Sequence, residues 1–236
     1  MLDEPLGDPA PLNVLYISRL ARSQGIKVLL SGTGGDDLFT GYRRHRALEL
    51  EQLWSWLPSG ARRLLVAGVG TLDVSRPLSR RIARALAYAD FESDERIASY
   101  FYWVAPDRVN KLFRATIRAE LSHLRPASPL LEHIHALPDS ATRLQKMLSV
   151  EQRFFLGDHN LLYTDKMSMA AGVEVRVPFL DPDLVRLANG LPDNVKQRGD
   201  VGKWILKKAM QPLLPNDIIN RPKAGFGAPL RRWLRH

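Results

Sequence analysis

A glycine-rich turn, Ser31-Gly32-Thr33-Gly34-Gly35, runs into two adjacent carboxylates, Asp36 and Asp37. Glycines at such a turn let the backbone approach a ligand and aim N–H groups at anionic oxygen. The carboxylates supply the hard oxygen donors that Mg²⁺ prefers. Together they suit the holding of a phosphate and a metal. The local alternative is a plain turn whose Asp-Asp pair caps the next helix. Farther along, Asp165, Lys166, Glu174 and Arg176 stand among apolar residues between Leu161 and Asp181. Buried charges must be paired or contact a ligand. An internal network, Asp165–Lys166 or Glu174–Arg176, meets that demand as well as a ligand does. Residues i and i+2 share a strand face, so Glu174 and Arg176 can pair directly. The third stretch is Arg221-Pro222-Lys223-Ala224-Gly225-Phe226-Gly227-Ala228-Pro229-Leu230. Its prolines and glycines make a shaped loop rather than a helix. Lys223 on such a loop can place a point charge on a phosphate; a surface turn with an incidental lysine is the alternative.

These residues need elements to position them. The apolar run Val28-Leu29-Leu30 predicts a buried strand at 26–30 that ends in the turn, and the pattern becomes helical at Leu38-Phe39-Thr40-Gly41-Tyr42. Before the strand, Asp8-Pro9 reads as a helix start, with Leu12, Leu15, Tyr16 and Leu20 on one face and Gly25 at the end. Helix, short loop and apolar strand imply an α/β layer with a parallel sheet. Only one such strand is clear, so the sheet is expected to be incomplete and the class helix-rich α/β. Residues 43–141 read as helices broken by prolines and glycines. Leu53, Trp54 and Leu57 form one apolar stripe; Ile97, Phe101, Tyr102 and Val104 lie near another, crowded by Trp103. Both stripes are expected to be core. His123, His133 and His135 have no supporting carboxylate pattern for a metal site. Helical periodicity returns at Leu144, Met147, Leu148 and Phe155. Asp181-Pro182 starts a further helix with Leu184, Val185, Leu187 and Ala188 on its apolar side.

The chain has 236 residues, 45% of them hydrophobic, enough for one substantial core with an elaboration. It contains no cysteine, which removes disulfides and thiolate chemistry and fits a reducing compartment. No apolar run reaches the roughly 18 residues of a membrane span. The start, Met1-Leu2-Asp3-Glu4-Pro5, lacks the basic and apolar regions of a signal peptide, so a cytoplasmic location is expected. The net charge of +9 is distributed in short groups, Arg43-Arg44, Arg62-Arg63, Arg80-Arg81, Lys207-Lys208 and Arg231-Arg232. Such scatter argues against a dedicated nucleic-acid surface, and neither nucleic acid nor membrane is an expected partner.

Taken in order, several stretches resemble the glutamine-hydrolysing asparagine synthetase family, and in particular the second half of its C-terminal synthetase domain. They are Asp3-Glu4-Pro5; Ser31-Gly32-x-Gly34-Gly35-Asp36-Asp37-Leu38-Phe39-x-Gly41-Tyr42; Asp165-Lys166-Met167-Ser168-Met169; Glu174-Val175-Arg176-Val177-Pro178-Phe179-Leu180-Asp181; Gly202-Lys203-Trp204; and Arg221-Pro222-Lys223-x-Gly225-Phe226-Gly227. The match covers residues 1–46 and 142–236, with 47–141 a variable helical region. The resemblance implies an ATP-pyrophosphatase α/β domain related to the adenine-nucleotide α-hydrolases. It implies ATP and Mg²⁺, a small carboxylate substrate that attacks the α-phosphate, and ammonia from a glutaminase domain that displaces AMP to leave an amide. Charge developing on the α-phosphate and the leaving pyrophosphate then calls for metal and fixed cations. Carried onto this sequence, the nucleotide would be met by Ser31, Gly32 and Gly34, and the metal by Asp36 with Asp37 beside it. Lys223 would neutralise phosphate charge, Glu174 would position the substrate or ammonia with Arg176 organising it, and Asp165 would lie on the substrate side.

The sequence also departs from the family. Thr33 occupies a position where asparagine-forming members carry an acid, and Asp37 stands where Glu is usual. The loss at 33 opens the acceptor to other carboxylates, such as one on a sugar or a metabolite. A ring-closing β-lactam-forming relative would carry Tyr near that position, which this chain lacks. The family's nucleophilic cysteine and its Ser-Gly-Gly-x-Asp-Ser pyrophosphate loop have no counterpart here. The expectation is therefore a C-terminal portion of such an enzyme, inactive alone, with an exposed sheet edge that favours self-association. The non-enzyme alternative is a nucleotide-binding or interaction module that retains the motifs.

Overall fold

The computed structural model describes residues 2–3, 6–73, 75–223 and 225–228. Met1, together with Glu4 and Pro5 of the Asp3-Glu4-Pro5 motif, Ala224, Pro229 and Leu230 of the lysine loop and the Arg231-Arg232 pair, lie outside the described residues. The chain divides into two compact units, Met1–Gly41 with Glu151–His236, and Tyr42–Val150.

The first unit opens with α1 (Ala10–Ser23), started by the Asp8 carboxylate, which accepts the Ala10 N–H at 2.9 Å. Its buried side is Ala10, Pro11, Val14, Leu15, Ser18 and Ala21. This corrects most of the face expected from the sequence: Leu15 is buried as expected, but Leu12, Tyr16 and Leu20 are 39%, 58% and 65% exposed. The small residues Ala10, Ser18 and Ala21 make a flat stripe, which lets a second helix approach closely where the larger Leu-Tyr-Leu row would hold it away. Gly25 follows with φ +77°, a conformation glycine adopts without strain.

β1 (Val28–Leu30) leads into α2 (Gly35–Phe39), and the first unit breaks off at Gly41. The second unit is helical throughout: α3 (Arg43–Leu50), α4 (Ser59–Gly70), α5 (Pro77–Leu86), α6 (Ser93–Ser99), α7 (Pro106–Lys111), α8 (Ala115–Glu120), α9 (Ser128–His135) and α10 (Arg143–Val150). Its core is Leu48, Ile97, Ala98, Ile134, Met147 and Val150. The stripes expected from the sequence are only partly used, since Leu53, Trp103 and Val104 are more than half exposed. Trp54 instead stacks under the Arg96 guanidinium at 4.4 Å. His133 pairs with the Ser149 hydroxyl at 2.8 Å, and His135 faces Asp94 at 3.8 Å.

The centre of the second unit is a buried charge cluster. Glu51, 3% exposed, takes Arg96 Nε at 2.8 Å, the Tyr100 hydroxyl at 2.5 Å and Arg143 at 2.5 Å. Arg96, equally buried, also donates to the Ala85 carbonyl at 2.7 Å. Burial, with the Glu51 charge second, holds the Tyr100 hydroxyl far above the ordinary phenol range, so it stays a donor.

The chain re-enters the first unit through a wide π-helical run, Glu151–Leu161, followed by α11 (Leu162–Met169), β2 (Glu174–Arg176), a 3₁₀ turn at Pro178–Leu180, α12 (Pro182–Gly190), α13 (Asp193–Lys196), α14 (Trp204–Met210) and α15 (Asn216–Ile219). Val14 and Leu15 of α1 pack on Tyr163 and Met167 of α11. β1 and β2 pair in parallel with Val28 opposite Glu174 and Leu30 opposite Arg176. The fold is thus helix-rich with a small parallel sheet. The strand at 26–30, expected to be buried, is shorter and open: Val28 is 40% and Leu30 75% exposed. In a sheet of two strands each strand has one neighbour, and the face holding Val28 and Leu30 is shared with the exposed Glu174 and Arg176. α12 is capped as expected, the Asp181 carboxylate accepting from Asp183 N at 3.0 Å and Leu184 N at 3.3 Å. Ala188 is buried, whereas Leu187 is 61% exposed.

His159 in the π-helical run contacts Asp8 at 3.0 Å, stacks on Phe155 and meets the Tyr163 ring edge-on. Burial pushes the Asp8 carboxyl up, but the His159 bond and the Ala10 N–H outweigh it, so its pKa lies below 3.8. A depressed carboxyl stabilises the fold above its unfolded value, and that contribution fades as pH falls through the folded value. Asp8→Asn is therefore expected to lower stability by roughly 1–2 kcal/mol at pH 6. The gap between variant and parent in urea unfolding should shrink only below pH 3.8; a gap independent of pH down to that point and beyond would contradict the assignment.

Candidate functional site

The Gly-rich turn is fastened at both ends. Ser31 N donates to the Arg176 carbonyl at 2.8 Å, continuing the β1–β2 ladder. The Ser31 and Thr33 hydroxyls lie 2.7 Å apart, and Thr33 N donates to Ser31 Oγ at 3.2 Å. Gly34 has φ +94°, and an added Cβ would meet the Leu180 side chain from 3.0 Å inward. The Val-Pro-Phe-Leu segment thus acts as the floor of the turn. Beneath it Leu38, Phe39 and Ala188 pack with Phe179, Leu180 and Leu184, and with Ile205 and Leu206 of α14.

The outcome of this packing is the placement of Asp36. One of its carboxylate oxygens forms an ion pair with Lys203 and the other with Lys223. Lys223 also donates to the Gly41 carbonyl at 2.8 Å. Gly41 has to lack a side chain: a Cβ there would overlap the Asp36 carboxylate and come within 2.7 Å of Lys203 Cε. Burial pushes the Asp36 carboxyl up, but the two ammonium groups, Lys203 first, more than compensate and hold it below the ordinary carboxyl range. The carboxylate is 21% exposed and the lysines 32% and 47%, so all three can reach a ligand.

Asp37, by contrast, is 1% exposed; burial first, then the charges of Asp8 and Asp37, push the nearby Tyr163 hydroxyl up to about 12. Glu174 and Arg176 pair at 2.9 Å on β2, both more than half exposed, so the strand-face pairing is the one realised. Lys166 pairs with Asp3 at 2.6 Å, not in a network with Asp165. Asp165 is exposed on α11, where its charge acts on Lys166. The structure therefore gathers Ser31, Gly32, Gly34, Asp36 and Lys223, sets Glu174 and Arg176 on the adjoining strand, and leaves Asp165 joined to none of them by a described bond. Lys203 is the residue whose role sequence reasoning missed. It stands in Gly202-Lys203-Trp204, and nothing in that tripeptide marks its ammonium as the partner of a carboxylate 167 positions away.

A single carboxylate flanked by two ammonium groups is a poor metal cage by itself. Mg²⁺, however, commonly takes one or two carboxylates and completes its octahedron with phosphate oxygens and water. The donor set therefore fits a magnesium–polyphosphate ion, with the two lysines beside Asp36 as the groups that could contact the phosphates. Among the described residues no group of three His, Cys, Asp or Glu side chains is set to hold a metal. A hollow of about 50 Å³ between Leu6, His159, Tyr163 and Lys166 includes none of the turn residues and is too small for a nucleotide.

The whole chain, residues 1–236, matches the family model described as asparagine synthase. It is 31% identical over 99% of its length to a Mycobacterium tuberculosis protein provisionally named a glutamine-hydrolysing asparagine synthetase, covering 34% of that protein. It is 28% identical over 99% of its length to asparagine synthetase [glutamine-hydrolyzing] 1 of Bacillus subtilis, covering 35% of it. The amidase chyE of Penicillium rubens is 26% identical over 97% of the chain, with 36% of the amidase covered. The chain thus spans about a third of the length of the curated relatives it matches. No solved structure matches it.

Proposed function

The chain belongs to the asparagine synthase family, and from that premise we propose that it carries the phosphate-binding side of an ATP-dependent, glutamine-dependent ligase that adenylates a carboxylate and converts it to an amide. The observation that carries this reading is Asp36 held between Lys203 and Lys223 at the end of the Ser31–Gly34 turn. Asp36 would hold Mg²⁺, which supplies charge neutralisation on the phosphates when bound. Lys223 and Lys203 would release Asp36 and stabilise the negative charge that grows on the leaving pyrophosphate. Ser31 and the exposed Gly32 would meet the nucleotide at the rim of the turn, and Gly34, buried against Leu180, would serve it by shaping the backbone there. Glu174, oriented by Arg176, would position the carboxylate or the incoming ammonia, with Asp165 on the substrate side. The ATP-pyrophosphatase kinship, ammonia from a glutaminase domain and a cytoplasmic setting belong to the same proposal. In this reading the chain is a C-terminal portion that needs further protein to complete the reaction, and its open β1 edge favours self-association.

A second reading concerns the acceptor. Thr33, whose hydroxyl is engaged by Ser31, puts no acid at the turn, and one relative is an amidase by name. Both favour a carboxylate other than aspartate, on a sugar or a metabolite.

Calorimetric titration of the 236-residue chain with MgATP tests the site. Lys223→Ala should weaken binding by about 10- to 100-fold, the range of a charge-assisted contact. Binding unchanged in the variant would remove Lys223 from the site.

A further inference from the structure

Among the described residues, two with side chains adopt the left-handed backbone region, Thr40 at φ 63° and Lys203 at φ 56°, and they touch each other. A β-branched residue there is unfavourable, and such strain persists only where surrounding contacts over-determine it. Those contacts are present. The Thr40 hydroxyl, 1% exposed, donates to the Lys196 carbonyl at 3.0 Å and accepts the Lys203 N–H at 3.3 Å. The same N–H also donates to the Phe39 carbonyl at 2.8 Å. Gly202 allows the approach, since a Cβ there would overlap the Thr40 carbonyl. The loop after α2 is thereby stitched to the residue that opens α14.

The consequence falls on the ammonium of Lys203. A lysine side chain has four rotatable bonds and loses much freedom when held in one place. Fixing its backbone in the left-handed conformation, directly across from Gly41, reduces the arrangements from which it can reach Asp36. We propose that Thr40 is a positioning residue: its hydroxyl locks the backbone of Lys203 so that the ammonium is presented to Asp36 and to an incoming phosphate. This rests on the phosphate-binding reading above for its purpose, though not for the geometry.

The variants that separate the ideas are Thr40→Gly, Thr40→Ala and Thr40→Ser. Glycine adopts the positive φ freely but lacks the hydroxyl; serine keeps the hydroxyl. Alanine removes the hydroxyl and keeps a Cβ, in case the glycine variant does not fold. Two readouts are taken on the 236-residue chain: hydrogen exchange of the Lys203 amide, and calorimetric affinity for magnesium pyrophosphate, with Lys203→Ala as reference. The expected result is exchange at least tenfold faster and affinity about fivefold weaker in the glycine and alanine variants, as for loss of a shared hydrogen bond. Serine should restore both to within about twofold. Unchanged exchange in Thr40→Gly and Thr40→Ala, or a serine variant as impaired as they are, would overturn the proposal. If the parent chain does not bind pyrophosphate, the phosphate reading fails on its own, and the exchange measurement still decides whether Thr40 holds Lys203.

Discussion

Asp36→Asn should separate the binding of magnesium-bound phosphate from the binding of phosphate alone. The substitution keeps the volume and removes the charge that fixes both lysines and would hold the metal. Affinity for MgATP should fall by roughly tenfold or more, the scale of a lost charged ligand. Affinity for ATP in the presence of a chelator should stay the same or rise, because Lys203 and Lys223 no longer have an internal anion to leave. The paired titrations are informative because a merely damaged site would lose both. Equal losses with and without magnesium would argue that Asp36 is structural. Asp36 is partly exposed, as are its lysine partners, so the unfolding midpoint should move little.

The largest effect on stability should come from Glu51→Gln in the second unit. Glu51 and Arg96 are both 3% exposed, and Tyr100 and Arg143 share the same carboxylate. Removing one partner of a buried pair leaves an uncompensated charge, at a cost of about 3–5 kcal/mol. For a unit of this size that corresponds to a fall in midpoint on the order of 15 °C. Arg153→Ala, which breaks the exposed Arg153–Asp158 pair, should cost under about 1 kcal/mol and serves as the control. Equal effects of the two substitutions in thermal unfolding followed by circular dichroism would show that the Glu51 cluster contributes nothing special. Because Arg96 also stacks on Trp54, the indole fluorescence should change with the Glu51 substitution.

What could be read from the sequence and what could not divides along sequence distance. The start of α12 was legible because Asp181 caps it within three residues, and that of α1 to within one residue, since Pro9 holds the cap position and Asp8 just before it accepts the Ala10 N–H. The strand-to-turn transition at Leu30 was legible from glycine and from the apolar run before it. The Glu174–Arg176 pair followed from the two-residue period of a strand. Periodicity failed on α1, where it favoured the bulky Leu12, Tyr16 and Leu20. The helix buries its smaller residues, because close packing on α11 depends on the shape of the partner as well as on hydrophobicity. Burial of β1 was over-read for a related reason: an apolar run does not say how many neighbours a strand has. The partners of Asp36, of Lys166 and of Glu51 were hidden because each is brought in from a distant segment by tertiary packing. Lys203 had no local signature, and the left-handed backbone that presents it is unusual for any residue but glycine.

The central claim is that these residues serve adenylation of a carboxylate. The most direct measurement is exchange of labelled pyrophosphate into ATP, dependent on an added carboxylate, in a protein of the relatives' full length built around this chain. Carboxylate-dependent exchange that falls at least about 100-fold in Lys223→Ala, in line with loss of a group stabilising transition-state charge, is the result predicted here. Exchange that survives unaltered in Lys223→Ala, or release of inorganic phosphate in place of pyrophosphate, would contradict it.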